Sequence, residues 1–172
     1  MSGPVHKYMT SLPDTEDFIV FLTGMRINRP WKFWKWLPVF IYMPRMCREL
    51  MRRPELGMLH YRYHPGIRSM LVVQYWRSYE DLHRYATDKK SLHVPGWRWM
   101  NKHIGLNGDV GTWHETYVIR KNSHECLYVN MPEHGLAKAF GAQEATGNLR
   151  TGKGRMGKEA DDWTDLKVEA AE

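Results

Sequence analysis

The hydrophobic positions along this chain change period several times, and each change marks an element. Residues 17–27, Asp-Phe-Ile-Val-Phe-Leu-Thr-Gly-Met-Arg-Ile, are nearly continuous apolar sequence rich in β-formers, which predicts a strand covered on both faces. Asn28-Arg29-Pro30 is a turn. From Trp31 to Arg53 the residues Trp36, Phe40, Met43, Cys47 and Leu50 recur at three and four, a helical pattern with Arg45, Arg48 and Arg52 placed elsewhere. Pro38 and Pro44 lie inside it, so the expectation is a short helix, a break near Pro38 and a kink near Pro44. Pro54 to Gly57 ends it. Met58 to His64 alternates Leu59, Tyr61 and Tyr63 with His60, Arg62 and His64, as a half-exposed strand does. After the Pro65-Gly66 turn, Met70 to Trp76 is again apolar on both faces. Ser78 followed three residues later by Asp81 resembles a capping box, and Leu82 and Tyr85 begin an apolar stripe. Pro95 opens a second helical piece carrying Trp97, Met100 and Ile104. Gly105 to Gly111 is a loop, Val110 to Arg120 a fourth strand, and Glu125 to Asn130 a short fifth.

The order β-α-β-β-α-β is that of a ferredoxin-like α+β fold, whose sheet runs fourth, first, third, second. The two strands apolar on both faces then fall in the middle. One sheet face carries the helices. The other is expected to pack on the same face of a second copy, giving a homodimeric α+β barrel. The domain is expected over residues 15–131. Residues 132–172 form a C-terminal extension, loose from Gly141 and ordered only against a partner subunit.

With 172 residues, 42% hydrophobic and 26% charged, the composition is that of one globular domain. No apolar run is long enough to cross a bilayer, and the first residues lack the apolar stretch of a secretory signal. The expected location is therefore the cytoplasm. Cys47 and Cys126 are far apart and fit neither a disulfide framework nor a zinc site. No metal ligand set is expected. The net charge of +6 is concentrated: residues 29–53 hold seven cations and one acid, Glu49. In that stretch Trp31, Phe33, Trp34 and Trp36 interleave with Lys32 and Lys35. This is the composition of an interfacial segment, a pocket lid or a dimer contact, and it suits lipophilic material. The same segment is expected to act as a mobile gate, with Trp34 and Trp36 at a pocket mouth. Nucleotide-loop, metalloprotease and serine-hydrolase signatures are absent. Nucleic acid is not an expected partner, because the third strand lacks the stacking aromatics of an RNA-recognition motif and the cations gather on the helix.

Several residues could carry chemistry. In the fourth strand, alternation places Trp113, Glu115 and Tyr117 on one face and His114 on the other. Glu115 among aromatics, or His114 beside threonines, could serve as acid or base, or could simply be an edge-strand pair. His93, Trp97 and Asn101 are spaced by four around the second helix. There Asn101 could orient a substrate oxygen and Trp97 wall a pocket, or the three could cap, pack and solvate. Arg26, near Asn28, either binds an anion or pairs with a carboxylate such as Glu115.

The stretches Phe21 to Lys32, Val73 to Leu82, Gly111 to Tyr117 and Tyr128 to Pro132 resemble a family similar to the monooxygenase of the fumagillin biosynthetic cluster, over about residues 15–140. That resemblance implies a relation to antibiotic-biosynthesis monooxygenases. It implies a more distant one to dimeric α+β-barrel proteins that include haem-dependent aldoxime dehydratases. The monooxygenase relatives need neither metal nor flavin, since an electron-rich substrate reacts with dioxygen in an apolar pocket. The expectation is a cofactor-independent monooxygenase of secondary metabolism acting on a hydrophobic small molecule. His114, Glu115 or His93 would take a proton, and Arg26 and Asn28 would hold the oxyanion. Trp34, Trp36, Tyr75, Trp97, Asn101, Trp113 and Tyr117 would line the substrate site. Two alternatives are a haem enzyme of the same barrel with His114, His93 or His60 as axial ligand, and a non-catalytic ligand-binding dimer.

Overall fold

A computed structural model describes residues 4–157. In chain order its principal elements are β1 (His6–Ser11), β2 (Phe18–Ile27), α1 (Phe33–Arg52), β3 (Met58–Pro65), β4 (Ser69–Trp76), α2 (Tyr79–Thr87), α3 (His93–His103), β5 (Val110–Ile119), β6 (Tyr128–Met131), α4 (Leu136–Phe140), β7 (Gln143–Glu144) and α5 (Gly152–Arg155). Contacts gather in two units, residues 17–119 and the segments on either side of them.

The first unit is the expected ferredoxin-like α+β sandwich. Its sheet runs β3-β4-β2-β5, every pair antiparallel, with the two strands apolar on both faces at the centre. Side-chain alternation divides the sheet cleanly. Met70, Val72, Gln74 and Trp76 are buried beneath the helices, whereas Leu71, Val73 and Tyr75 between them are only half-buried on the far face. Tyr61 and Tyr63 of β3 pack on the helix-side core, as their alternation predicts. Ser78 caps α2 by accepting from the Asp81 backbone N–H at 3.1 Å. The Asp81 carboxylate, buried against Gly57, is held by Arg77 and Arg84. A side chain at Gly57 would collide with that carboxylate, and its φ of +92° also requires glycine.

The expected break at Pro38 is not there: α1 is one helix of 20 residues with both prolines inside it. Each proline gives up its own N–H bond and crowds the carbonyl four residues back, but the buried side chains of Cys47 and Leu50 hold the helix on the sheet on the same side. α3 begins two residues earlier than Pro95.

The second unit holds a strand that hydrophobic alternation does not reveal. β1 is the middle of a three-stranded antiparallel sheet, β6-β1-β7, with Thr10 opposite both Tyr128 and Glu144. Of the expected loose extension, residues 141–157 contribute β7 and α5; residues 158–172 lie outside the described residues.

Candidate functional site

Between the sheet and the helices of the first unit lies a cavity of about 880 Å³. Its floor is Phe21, Thr23, Met25, Met70, Gln74 and Trp76 from the two central strands, with Thr112, His114 and Thr116 from the edge strand β5. Pro38, Val39, Ile41, Tyr42, Met43, Arg45, Met46 and Leu50 of α1 form one wall. Tyr79, Leu82, His83, Tyr85 and Ala86 of α2 with His93, Pro95, Trp97, Trp99 and Met100 of α3 form the other. A volume within the range of small-molecule sites, apolar walls and a few convergent polar groups are what such a site requires.

His93 is the best-defined polar group there. Its Nδ1 lies 2.9 Å from the Ala86 carbonyl oxygen, which can only accept, so Nδ1 carries the hydrogen and Nε2 the lone pair. Burial pushes the imidazole below its usual pKa, with the Ala86 bond opposing it, so the ring is neutral near pH 7. Beside it, 6.0 Å between ring centres, Tyr85 donates to Glu49 Oε2 at 2.8 Å, and the same oxygen accepts from the Leu92 backbone N–H at 3.1 Å. Burial, then that Glu49 bond, raises the Tyr85 phenol. Glu49 thus ties α1 to the start of α3. His114 is more open, stacked obliquely 5.6 Å from Phe21. On the floor, the Trp76 indole donates to Gln74 Oε1 at 2.9 Å, and Gln74 Nε2 contacts Cys47 Sγ at 3.9 Å. Burial raises the Cys47 thiol to about 11, so it packs as an inert apolar group.

Of the residues singled out in the sequence, His93, His114 and Trp97 line this cavity, and Trp113 borders it too, although alternation sets it beside Glu115 and Tyr117 with its indole over Gly24. Tyr75, Glu115, Tyr117 and Arg26 belong to the opposite sheet face by alternation. There the Tyr117 hydroxyl donates to Glu115 Oε2 at 2.6 Å, and that bond raises the phenol. Glu115 is exposed and lacks the aromatic enclosure expected of it. It is paired across the ladder with Leu22, whereas Arg26 is paired with Gly111, so strand spacing separates the acid from the base expected to meet it. Trp34 and Trp36 are not among the lining residues. Trp36 donates to the Pro30 carbonyl at 2.9 Å and packs on the core, while Trp34 is exposed beside Phe33. Asn101 is also exposed, and Asn28 is structural: its side chain donates to the Gly108 carbonyl at 3.1 Å.

Sequence reasoning missed Gln74 and Asp109. The first was legible as a polar residue on the buried side of an apolar strand. The second is the one acid of the loop before β5. Its buried carboxylate meets Arg29 at 3.0 Å, Lys32 at 3.0 Å and Lys35 at 2.6 Å. Hydrogen bonds from Lys35 and then Lys32 hold it down at about 2. The two lysines interleaved with the aromatics are therefore turned onto this anchor. Among the described residues no three His, Cys, Asp or Glu side chains are grouped to hold a metal ion, and no helix is long and apolar enough to cross a membrane.

Comparison with known proteins adds the lineage. Monooxygenase af470 from Aspergillus fumigatus is 28% identical over 132 residues, covering 69% of this chain and 44% of that protein. The chain thus spans less than half the length of this curated relative. The crystal structure of aldoxime dehydratase (OxdRE) in complex with butyraldoxime superimposes with a TM-score of 0.61 at 11% identity, over 77% of this chain and 38% of that one. SnoaB, a cofactor-independent oxygenase from Streptomyces nogalater, gives 0.43 at 13% identity, over 61% of this chain and 95% of that one. The family model described as Monooxygenase af470-like matches residues 18–136, nearly all of the four-stranded unit and its continuation, and the chain belongs to that family.

Proposed function

We propose that this chain is a monooxygenase-like enzyme that oxidises a hydrophobic small molecule of secondary metabolism in the cavity between sheet and helices, without a bound cofactor. The observation that carries the reading is a neutral His93 at an apolar cavity, its tautomer fixed by the Ala86 carbonyl so that Nε2 is the basic nitrogen. A base of this kind removes a proton from an acidified carbon or phenol, and the apolar walls leave the resulting anion electron-rich. Such an anion gives electrons to dioxygen directly. For an activated methylene, oxidation to a carbonyl uses both atoms of O₂, one in the product and one in water, with no outside reductant. His114 and Gln74, which line the cavity, are assigned the holding of the oxygen on which charge develops, in place of Arg26 and Asn28, which do not line it. The half-buried far face of the sheet, with Leu71, Val73 and Tyr75, supports pairing with a second copy to form the dimeric barrel. The aromatic segment of α1 supports transient contact with a membrane, where apolar substrates partition, and a cytoplasmic location completes this reading.

The test is incubation of purified protein with activated phenols and enols, with and without dioxygen. Oxygen-dependent product that disappears in a His93→Ala variant is expected; turnover indifferent to oxygen contradicts the reading. A second reading has a specific support: with Nδ1 held by a carbonyl, His93 Nε2 would be free to ligate a haem iron, which would supply the redox or dehydration chemistry. A Soret band on titration with haemin, saturating near one equivalent and lost in His93→Ala, favours it. Ligand binding with no turnover under any condition favours the non-catalytic dimer.

A further inference from the structure

α1 is apolar on two sides. One side packs on the sheet through Cys47 and Leu50. On the other, Phe33, Trp34, Leu37, Phe40 and Ile41 stand exposed at a three-and-four spacing, with Trp31 just ahead of them. Five large side chains within about three turns are far more than the scattered apolar residues any surface carries. The same outward arc continues as Arg45, Arg48 and Arg52, all exposed. Ile41 and Arg45 also line the cavity, so the strip runs into its rim.

We infer that this outer face of α1 docks on an anionic lipid surface, its aromatic first half seated among the acyl chains and its arginine half among the headgroups. Three observations favour lipid over a second copy of the chain. The helix offers a copy no compensating acid, since Glu49 is already engaged by Tyr85 and the Leu92 N–H. A self-complementary contact would therefore bring the arginines of both copies together. Tryptophan and phenylalanine beside cations is the composition that settles at a membrane interface. Finally, Lys32 and Lys35 are mostly covered and turned onto the buried Asp109, so what this end of the helix presents to solvent is chiefly Trp31, Phe33 and Trp34. This inference deepens the proposed function by naming where the apolar substrate comes from: it enters laterally, past Ile41, without crossing water.

The experiment is co-flotation with vesicles of pure phosphatidylcholine and of phosphatidylcholine mixed with phosphatidylserine. Binding to the mixed vesicles alone is expected. Each Arg→Gln change at 45, 48 or 52 is expected to weaken it about fivefold. Trp34→Ala with Leu37→Ser is expected to abolish it while leaving far-ultraviolet dichroism unchanged, because both side chains are exposed. Equal binding to both vesicle types, absence of binding, or retention by the double variant overturns the inference. So does sedimentation showing that the double variant dissociates an oligomer that ignores vesicles. Soluble-substrate turnover separates the two proposals: vesicle binding without turnover sinks only the enzyme reading, and turnover without vesicle binding sinks only the docking surface.

Discussion

The two faces of the four-stranded sheet are made from alternate residues of the same strands, yet they have opposite characters. On the helix side, Val72, Gln74 and Trp76 are sealed away and an apolar-walled cavity opens above them. On the far side, Leu71, Val73 and Tyr75 are half-buried, and the edge strand presents Glu115 bonded to Tyr117 in the open. Adjacent residues His114 and Glu115, both exposed, are turned to different faces by one step of the pleat. Desolvation reaches His93 on the helix side, and desolvation makes a weak base useful.

The largest effect separating the faces is in stability. Trp76→Ala removes a fully buried indole and strands its partner Gln74, and is expected to cost ~3–5 kcal/mol in urea unfolding. Tyr75→Ala, one residue away on the far face, is expected to cost less than half of that in dilute protein. A Tyr75 penalty that grows with protein concentration would show copies pairing through that face.

Turnover divides the faces next. His93→Ala is expected to lose ~10²–10⁴-fold in kcat, whereas Glu115→Gln changes little. Because burial lowers the His93 pKa, the acid limb of the kcat/KM profile should fall below the ordinary imidazole range. A limb at or above that range would contradict His93 as the base.

A subtler difference concerns acid. The Asp109 carboxyl is held at about 2 when folded and near its ordinary 3.8 when unfolded, so its contribution is complete above about pH 4 and lost as pH falls toward 2. Asp109→Asn is therefore expected to lower the Tm at neutral pH, and the two melting curves should converge near pH 2. A constant gap across that window would mean the carboxylate's charge is not what holds Arg29, Lys32 and Lys35. The smallest effect is chemical silence: with Cys126→Ser, native protein should not react with a thiol reagent at pH 8, and unfolded protein should, because Cys47 is buried with its pKa at about 11.

The sheet order was legible because two strands carry apolar residues on both faces and two alternate, which settles which pair is central. The unbroken α1 was not, since proline content reports a local loss and the helix is held by contacts from 47 and 50 onto distant strands. β1 escaped because its six residues carry no periodicity and its partners lie more than 100 positions away. In the site, alternation separated His114 from Glu115 correctly but could not say which face the helices cover. His93 was legible by spacing, although the carbonyl that fixes its tautomer belongs to the preceding helix. The anchoring of Lys32 and Lys35 was not legible because Asp109 is 74 residues beyond the second of them.

The central claim is that the helix side of the sheet, not the far side, receives the apolar molecule. Nuclear Overhauser contacts between a bound apolar probe and the side chains of isotopically labelled protein test this directly. Contacts to His93, Trp97 and His114, with none to Tyr75 or Tyr117, are the predicted result. Contacts to Tyr75 and Tyr117 without any to His93 would contradict the account.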